Sequence, residues 1–305
     1  MNAVTAPTAT PFAARGITKR YEDQIALKGV TVEIPAGRIV GLLGRNGAGK
    51  TTLLNIVSGI VLPSAGTAAT FGVPTDRLDT PELTRLGVVQ QEGGTIGWMT
   101  VRQHLDFNAS FYPTWDRELE QRLLGELELD QKRKIVQLSS GDRQKAGLLL
   151  GVCHRPAFLV LDEPMSALDP IVRARALDLL LERLRDDGCT VLVSSHILND
   201  VEKIVDWVIC LDQGEVVANA PFDELQESYA EWILISPAGT LPTAYPEPFV
   251  LNHQGNERQA RLRVCTNEFE AAEKFATAFG AQVQKRPLNL EEMFPLLTNR
   301  RREGQ

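Results

Sequence analysis

Gly44-Arg45-Asn46-Gly47-Ala48-Gly49-Lys50-Thr51-Thr52 follows one apolar run, Ile39-Val40-Gly41-Leu42-Leu43, and precedes another, Leu53-Leu54-Asn55-Ile56-Val57. The first run reads as a buried strand and the second as a helix, giving the order strand, glycine-rich loop, helix. A G-x-x-x-x-G-K-[ST] loop in that setting is a phosphate cradle. Its glycines let successive backbone N–H groups turn inward, and the helix N-terminus lies behind them with a partial positive charge. Lys50 would reach the β and γ phosphates. The Thr51 hydroxyl would coordinate Mg²⁺, a hard ion that favours oxygen, and Asn46 and Thr52 add further contacts. A glycine-rich turn with no ligand is the competing reading, and the complete pattern between strand and helix weighs against it.

The bulk properties narrow the class. A chain of 305 residues is long enough for about two domains, and 43% apolar with 23% charged residues allows an ordinary core. The net charge of -7 argues against a protein that grips nucleic acid by its backbone, so no nucleic-acid partner is expected. Cys153, Cys189, Cys210 and Cys265 are scattered without metal-ligand spacing and read as small core residues of a reducing compartment. Residues 1–14 have neither a basic cluster nor an apolar core of a leader, and their Ala, Thr and Pro content predicts a disordered tail. No apolar run reaches eighteen residues, so any membrane role is expected to pass through a partner.

Ahead of the cradle, short strands are expected at residues 17–21, 26–30 and 31–34, a small antiparallel set from which Tyr21 can stack on an adenine or simply half-bury. Behind it, Leu86-Gly87-Val88-Val89-Gln90-Gln91-Glu92 reads as a strand with glutamines at its carboxyl end, where ligands gather in open α/β sheets. Gln91 there is either an adaptable oxygen ligand or a plain loop residue. Residues 100–135 carry helical periodicity, interrupted by Phe111-Tyr112-Pro113-Thr114-Trp115, whose rings read as packing. Ser139 and Asp142 fit the S-x-x-D form of a capping box, so a helix should begin sharply there.

Two more apolar runs end in polar chemistry: Ala157-Phe158-Leu159-Val160-Leu161 before Asp162-Glu163-Pro164, and Thr190-Val191-Leu192-Val193 before Ser194-Ser195-His196. In a parallel sheet these carboxyl ends share one edge with the cradle. Asp162 can hold Mg²⁺ directly or through water, and Glu163 can orient and deprotonate an attacking water beside the γ phosphate. His196 can donate to that phosphate or steady the water. A strand-ending turn is the bland reading of Asp-Glu-Pro, and a satisfied surface residue that of the histidine.

With these residues in place, the chain resembles the ATP-binding subunit of an ABC transporter over residues 16–219. The matching elements are Tyr21 as the stacking aromatic, a Walker A loop at residues 44–52, Gln91 of the Q-loop and a signature motif at residues 138–142. They continue with a Walker B strand ending in Asp162, then Glu163, a D-loop at residues 166–169 and the switch histidine His196. The resemblance implies an α/β P-loop NTPase cassette with an antiparallel β subdomain and a helical subdomain at about residues 95–155. ATP and Mg²⁺ are the implied cofactors. Nucleotide contacts fall to Tyr21, Gly44, Arg45, Asn46, Gly47, Ala48, Gly49, Lys50, Thr51, Thr52 and Gln91, metal contacts to Thr51, Gln91 and Asp162, and catalysis to Glu163 and His196. It further implies that two such subunits, alike or different, pack head to tail, with Ser139 and Gly141 of one facing the γ phosphate held by Lys50 of the other. The signature departs from the usual Leu-Ser-Gly-Gly-Gln, reading Leu138-Ser139-Ser140-Gly141-Asp142, but keeps the serine and second glycine.

The cassette is expected over residues 15–226 and a small α+β C-terminal domain over 227–305, without a catalytic constellation. A single cassette with such an extension is similar to bacterial exporters of the multidrug, antibiotic or peptide type. The expected placement is therefore cytoplasmic, peripheral on the inner face of the cell membrane through a separate integral membrane permease. An ABC-type ATPase acting on ribosomes or DNA, and a non-transporting sensor module, are the alternatives. The first usually carries two cassettes or a long coiled coil, which this chain does not. Arg300, Arg301 and Arg302 can meet anionic lipid or remain a solvated basic end.

Overall fold

The computed structural model describes residues 10–91, 95–266 and 269–299. Glu92, the first nine residues of the expected tail and Arg300 to Arg302 lie outside the described residues. The chain divides into two compact units, residues 1–219 and 220–305. That division precedes the sequence-expected boundary after residue 226, because the short helix at residues 222–228 groups with the C-terminal unit.

In chain order the first unit contains β1 (Phe12–Tyr21), β2 (Gln24–Ile34), β3 (Ile39–Gly44), α1 (Lys50–Val57), β4 (Ala65–Thr70), β5 (Val73–Pro74), α2 (Thr80–Leu83) and β6 (Leu86–Val89). It continues with α3 (Val101–Ala109), α4 (Arg117–Glu126), α5 (Ser140–Val152), β7 (Phe158–Asp162), α6 (Pro170–Asp187), β8 (Thr190–Ser194), α7 (Leu198–Val201), β9 (Trp207–Asp212) and β10 (Glu215–Pro221). The second unit contains α8 (Phe222–Ser228), β11 (Tyr229–Ile235), β12 (Val250–Gly255), β13 (Gln259–Cys265), α9 (Phe269–Ala278), β14 (Gln282–Pro287) and α10 (Leu290–Asn299).

The central sheet of the first unit has the order β10-β9-β3-β8-β7-β6. Strands β3, β7 and β8 are buried along their whole length, which is why their sequences run apolar without alternating. Leu42, Val160 and Leu192 from these strands are at most 1% exposed and join one core with Leu53 and Ile56 of α1. Each such side chain contributes about 1.5–3 kcal/mol of apolar transfer. Registers Val40↔Leu192 and Leu159↔Val191 are parallel, so the carboxyl ends of the three strands lie side by side.

A second sheet, β2-β1-β4-β5, departs from the sequence expectation in two ways. The stretches 26–30 and 31–34 form one strand, β2. Phe12, Ala13 and Ala14, assigned above to a disordered tail, belong to β1, where Phe12 pairs with both Ile34 and Thr70 and is fully buried. The register shifts between Ala14 and Ile17, and this bulge at Gly16 hides the continuity of the strand from a period-two reading.

The helical block is held by local polar chemistry. Thr100 and Gln103 close a reciprocal capping box at the start of α3, and Asp116 caps α4 through the Leu119 N–H at 2.9 Å. Of the interrupting aromatics, Tyr112 stacks on His154 with ring centroids 4.1 Å apart, whereas Phe111 is exposed and packs edge-on to Phe107. Glu120 is fully buried and accepts from Arg102 (2.6 Å), Arg117 (2.8 Å) and Trp115 Nε1 (2.8 Å). Burial pushes its pKa up, but the hydrogen bonds from Arg102 and Trp115 and the charges of Arg102 and Arg117 outweigh that and hold it below the ordinary value. A carboxyl depressed in the folded state stabilises above its unfolded pKa of about 4 and loses that contribution as the pH falls through the folded value. The thermal midpoint is therefore expected to fall steeply below about pH 4. Glu120→Ala, after which the partly exposed Arg102 and Arg117 keep only Asp106 as partner among the described residues, should cost about 1–3 kcal/mol at neutral pH in denaturant unfolding.

Candidate nucleotide-hydrolysis site

A cleft of about 570 Å³ opens at the carboxyl edge of the central sheet. It brings together Arg45, Asn46, Gly47, Gly49, Lys50, Thr51 and Thr52 from the cradle, Tyr21 from the end of β1, Gln91 after β6, Asp162 and Glu163 at the end of β7, and His196 after β8. Gly44 and Ala48 lie just behind this wall, Gly44 as the last residue of β3 and Ala48 as a buried turn residue whose N–H donates to the Arg45 carbonyl. Ser139 and Gly141 do not line the cleft.

The cradle's geometry follows from its glycines. Gly49 caps α1 at φ 105°, and a Cβ there would come within 2.6 Å of the Ala26 carbonyl, so only glycine fits between the loop and β2. The Lys50 Nζ donates to the carbonyls of Gly44 (2.8 Å) and Arg45 (3.4 Å), which holds the ammonium across the loop. Thr51 is the second residue of α1, with its side chain in the cleft. Tyr21 is 43% exposed, with Lys19 Nζ 5.0 Å from its ring centre.

Opposite the cradle, Glu163 has φ 49°, in the left-handed region that costs a non-glycine residue about 1–3 kcal/mol. Neighbouring strands and helices hold it there. Its N–H donates to Ser194 Oγ (3.0 Å), its carbonyl accepts from Gln144 Nε2 (3.2 Å), and its carboxylate accepts from the His196 N–H (3.2 Å). The His196 ring lies 2.7 Å from the same Glu163 Oε2 through Nδ1. An ionised carboxylate can only accept, so Nδ1 carries the proton and the other ring nitrogen, Nε2, is left as an acceptor in the neutral imidazole. Donation from Nε2 to a phosphate would require the imidazolium, or a ring released from Glu163. Asp162 Oδ1 accepts from Ser194 Oγ at 2.7 Å, so one hydroxyl orients both members of the acidic pair.

Sequence reading gave Ser194 and Gln144 no role. Gln144 also donates to Ser166 Oγ (2.7 Å) and accepts from the Ala167 N–H (2.9 Å), tying the first turns of α5 to the loop after Glu163. At the start of α5 the Ser139 Oγ accepts from the Asp142 N–H at 3.1 Å, and the Asp142 carboxylate pairs with Lys145 at 3.1 Å. The helix begins sharply at Ser140, as the capping pattern requires. A Cβ on Gly141 would meet the Ala167 carbonyl at 2.8 Å. None of the four cysteines forms a disulfide, and three are buried.

Thr51, Gln91 and Asp162 present a hydroxyl, an amide and a carboxylate to one cleft, an all-oxygen set that fits Mg²⁺ and would be a poor match for a thiophilic metal. Among the described residues no group of three or more His, Cys, Asp or Glu side chains could hold a metal unaided.

A phosphate cradle facing an acidic pair and a histidine across a parallel sheet edge defines a P-loop NTPase. The family profile described as ABC transporter matches residues 27–166. Bacitracin transport ATP-binding protein BcrA of Bacillus licheniformis is 30% identical over 219 residues, 71% of this chain and 72% of the relative. Nod factor export ATP-binding protein I of Burkholderia orbicola (strain AU 1054) is 30% identical over 300 residues, 95% and 97% of the two chains. Among solved structures, an ATP-binding subunit of an ABC transporter superposes with a TM-score of 0.65 at 25% identity, covering 71% of this chain and 92% of that one. The ATP-binding cassette MJ0796, as a post-hydrolysis dimer bound to ADP and Pi, gives 0.62 at 27% identity, covering 69% and 98%. The chain belongs to the ABC transporter family of ATP-binding proteins, and it is an ATPase subunit of that class.

Proposed function

We propose that this ATPase drives export through a separate integral membrane permease, seated on the cytoplasmic face of the membrane and working as a head-to-tail pair with a second ATPase subunit. The single observation that carries the reading is the division of the phosphate chemistry between two places. Lys50, Asp162, Glu163 and His196 share one cleft, whereas the capped N-terminus of α5 with Ser139 and Gly141 stands outside it. Such a helix end favours an anion and finds none of the cleft's charge in its own chain, so a second subunit's γ phosphate is its natural partner. The relative named for Nod factor export supports the direction of transport. Among the described residues no helix is long and apolar enough to cross a membrane.

Within the cleft, Lys50 would exchange its contacts to the Gly44 and Arg45 carbonyls for β and γ phosphate oxygens, and Tyr21 would stack on the adenine. Mg²⁺ would be held by Thr51, Gln91 and Asp162 and would neutralise phosphate charge. Glu163 would take the proton of the attacking water, while His196, which now occupies Glu163 Oε2, would turn toward the γ phosphate as Glu163 turns to the water. Ser194→Ala removes the hydroxyl that holds the Asp162 carboxylate and the Glu163 backbone N–H and should lower ATP turnover about tenfold. Its ATP affinity should stay within about threefold of the parent in equilibrium titration, since Ser194 itself does not line the cleft.

The test of the whole reading is affinity purification of the tagged chain from gently solubilised native membranes, with and without ATP. A polytopic membrane protein in stoichiometric yield is the expected result. Ribosomes or DNA without a membrane protein would replace it with the soluble-ATPase reading, and a membrane partner that relays a signal without moving any solute would favour the sensor module.

A further inference from the structure

The C-terminal unit carries a polar cavity of its own. Its sheet has the order β12-β13-β11-β14. One face is the apolar core, where Trp232, Leu234, Leu262 and Val264 pack with Ala272 and Ala276 of α9. On the other face Arg263 stands between Asn252 and Glu231, and in the next row Arg261 stands between Gln254 and Ile233. A concavity of about 180 Å³ lies over these rows.

A local irregularity builds this face. The β12–β13 register shifts between Val250 and Asn252, so Asn252 pairs with Arg263 and Gln254 with Arg261. Without the extra residue at Leu251, Asn252 would instead oppose Leu262, whose side chain belongs to the core. The bulge thus turns two amides onto the arginine face. Directly opposed residues on adjacent strands lie about 5 Å apart and alternate residues along a strand about 7 Å. Arg261, Arg263, Asn252 and Gln254 therefore mark out a patch of roughly 5 by 7 Å, bounded by donor-bearing side chains.

The charges on this face are unevenly neutralised. Glu231 is 4% exposed and accepts from Arg286 Nε at 2.9 Å, and Arg286 also forks onto Glu292 at 2.6 and 2.8 Å. Arg286 is thus saturated by two carboxylates. Arg263 reaches Glu231 only at 4.0 Å, and among the described residues no carboxylate lies within ion-pair distance of Arg261. The surplus positive charge sits over the amides, on the side of the cavity away from Glu231.

From this placement we infer that Arg261, Arg263, Asn252 and Gln254 form a binding site for a phosphate-class oxyanion on the C-terminal unit. Two guanidinium forks and two amides supply planar N–H donors to the several oxygens of one tetrahedral anion. The Glu231–Arg286–Glu292 chain behind them fixes the floor. All residues of the site belong to the C-terminal unit, and its ligand is either a soluble phosphate compound or the phosphomonoester headgroup of a lipid.

The full-length chain, with a saturating non-hydrolysable ATP analogue to fill the cradle up to its γ phosphate position, is titrated with inorganic phosphate by calorimetry. One phosphate per chain is expected, and the double variant Arg261→Gln/Arg263→Gln should weaken binding at least about a hundredfold, about tenfold for each charged donor removed. Asn252→Ala/Gln254→Ala, which keeps both charges, should give a smaller loss of about tenfold and guards against a variant that fails to fold. Far-UV circular dichroism and a thermal midpoint unaltered in both variants verify the fold. Vesicles of phosphatidylcholine with and without phosphatidic acid separate the sources. Sedimentation with the acidic vesicles that both variants lose assigns the site to lipid. Phosphate binding without vesicle binding assigns it to a soluble ligand. No phosphate or vesicle binding under these conditions, or equal binding in parent and double variant, overturns the inference.

Discussion

Glu163→Gln is expected to lower ATP turnover at least about a hundredfold while leaving ATP affinity within about threefold of the parent. The amide keeps the shape of the side chain and can still meet His196, but it has no basic oxygen with which to take a proton from water. The cradle, which carries the binding energy, is untouched. The left-handed backbone of Glu163 is held through its N–H by Ser194 and through its carbonyl by Gln144, contacts that the substitution leaves in place. Steady-state phosphate release and equilibrium ATP binding, measured on the same preparation, separate the two effects. Retention of full turnover would remove Glu163 from the chemistry.

Lys50→Ala should act on the other term. Lys50 is 8% exposed, and its ammonium is already held against the Gly44 and Arg45 carbonyls. Charge-assisted hydrogen bonds to two phosphates are worth roughly 1.5–3 kcal/mol each, so its loss should weaken ATP binding about a hundredfold or more. Turnover should fall with it. An unchanged affinity for ATP, read by calorimetry or by fluorescent-nucleotide displacement, would count against the assignment of the loop as a phosphate cradle.

The contrast between these residues and the ones sequence reading passed over shows what a linear chain discloses. Asp162, Glu163 and His196 were legible because each follows an apolar run, and a fully buried strand places its next polar residue at the sheet edge. Ser194 and Gln144 act through contacts to residues 31 and 19 positions away, and nothing local to either marks that pairing. The same limit governs the fold. β3, β7 and β8 declare themselves by unbroken apolarity, while β1 conceals its first residues behind a bulge. β12 was missed altogether: it touches the sheet along one edge, four of its six residues are exposed, and the irregularity at Leu251 breaks its alternation.

Ser139 and Gly141 were legible as a cap but not as part of a cleft, and the structure keeps them apart from Lys50 within one chain. Their proposed role therefore rests on a second subunit. The most direct measurement is sedimentation velocity of Glu163→Gln with and without Mg·ATP, with bound nucleotide counted in each species. The account predicts a monomer that becomes a dimer holding two ATP molecules, and loss of that dimer when Ser139→Ala is added. A variant that binds ATP with full affinity and stays monomeric at concentrations well above its ATP dissociation constant would contradict it.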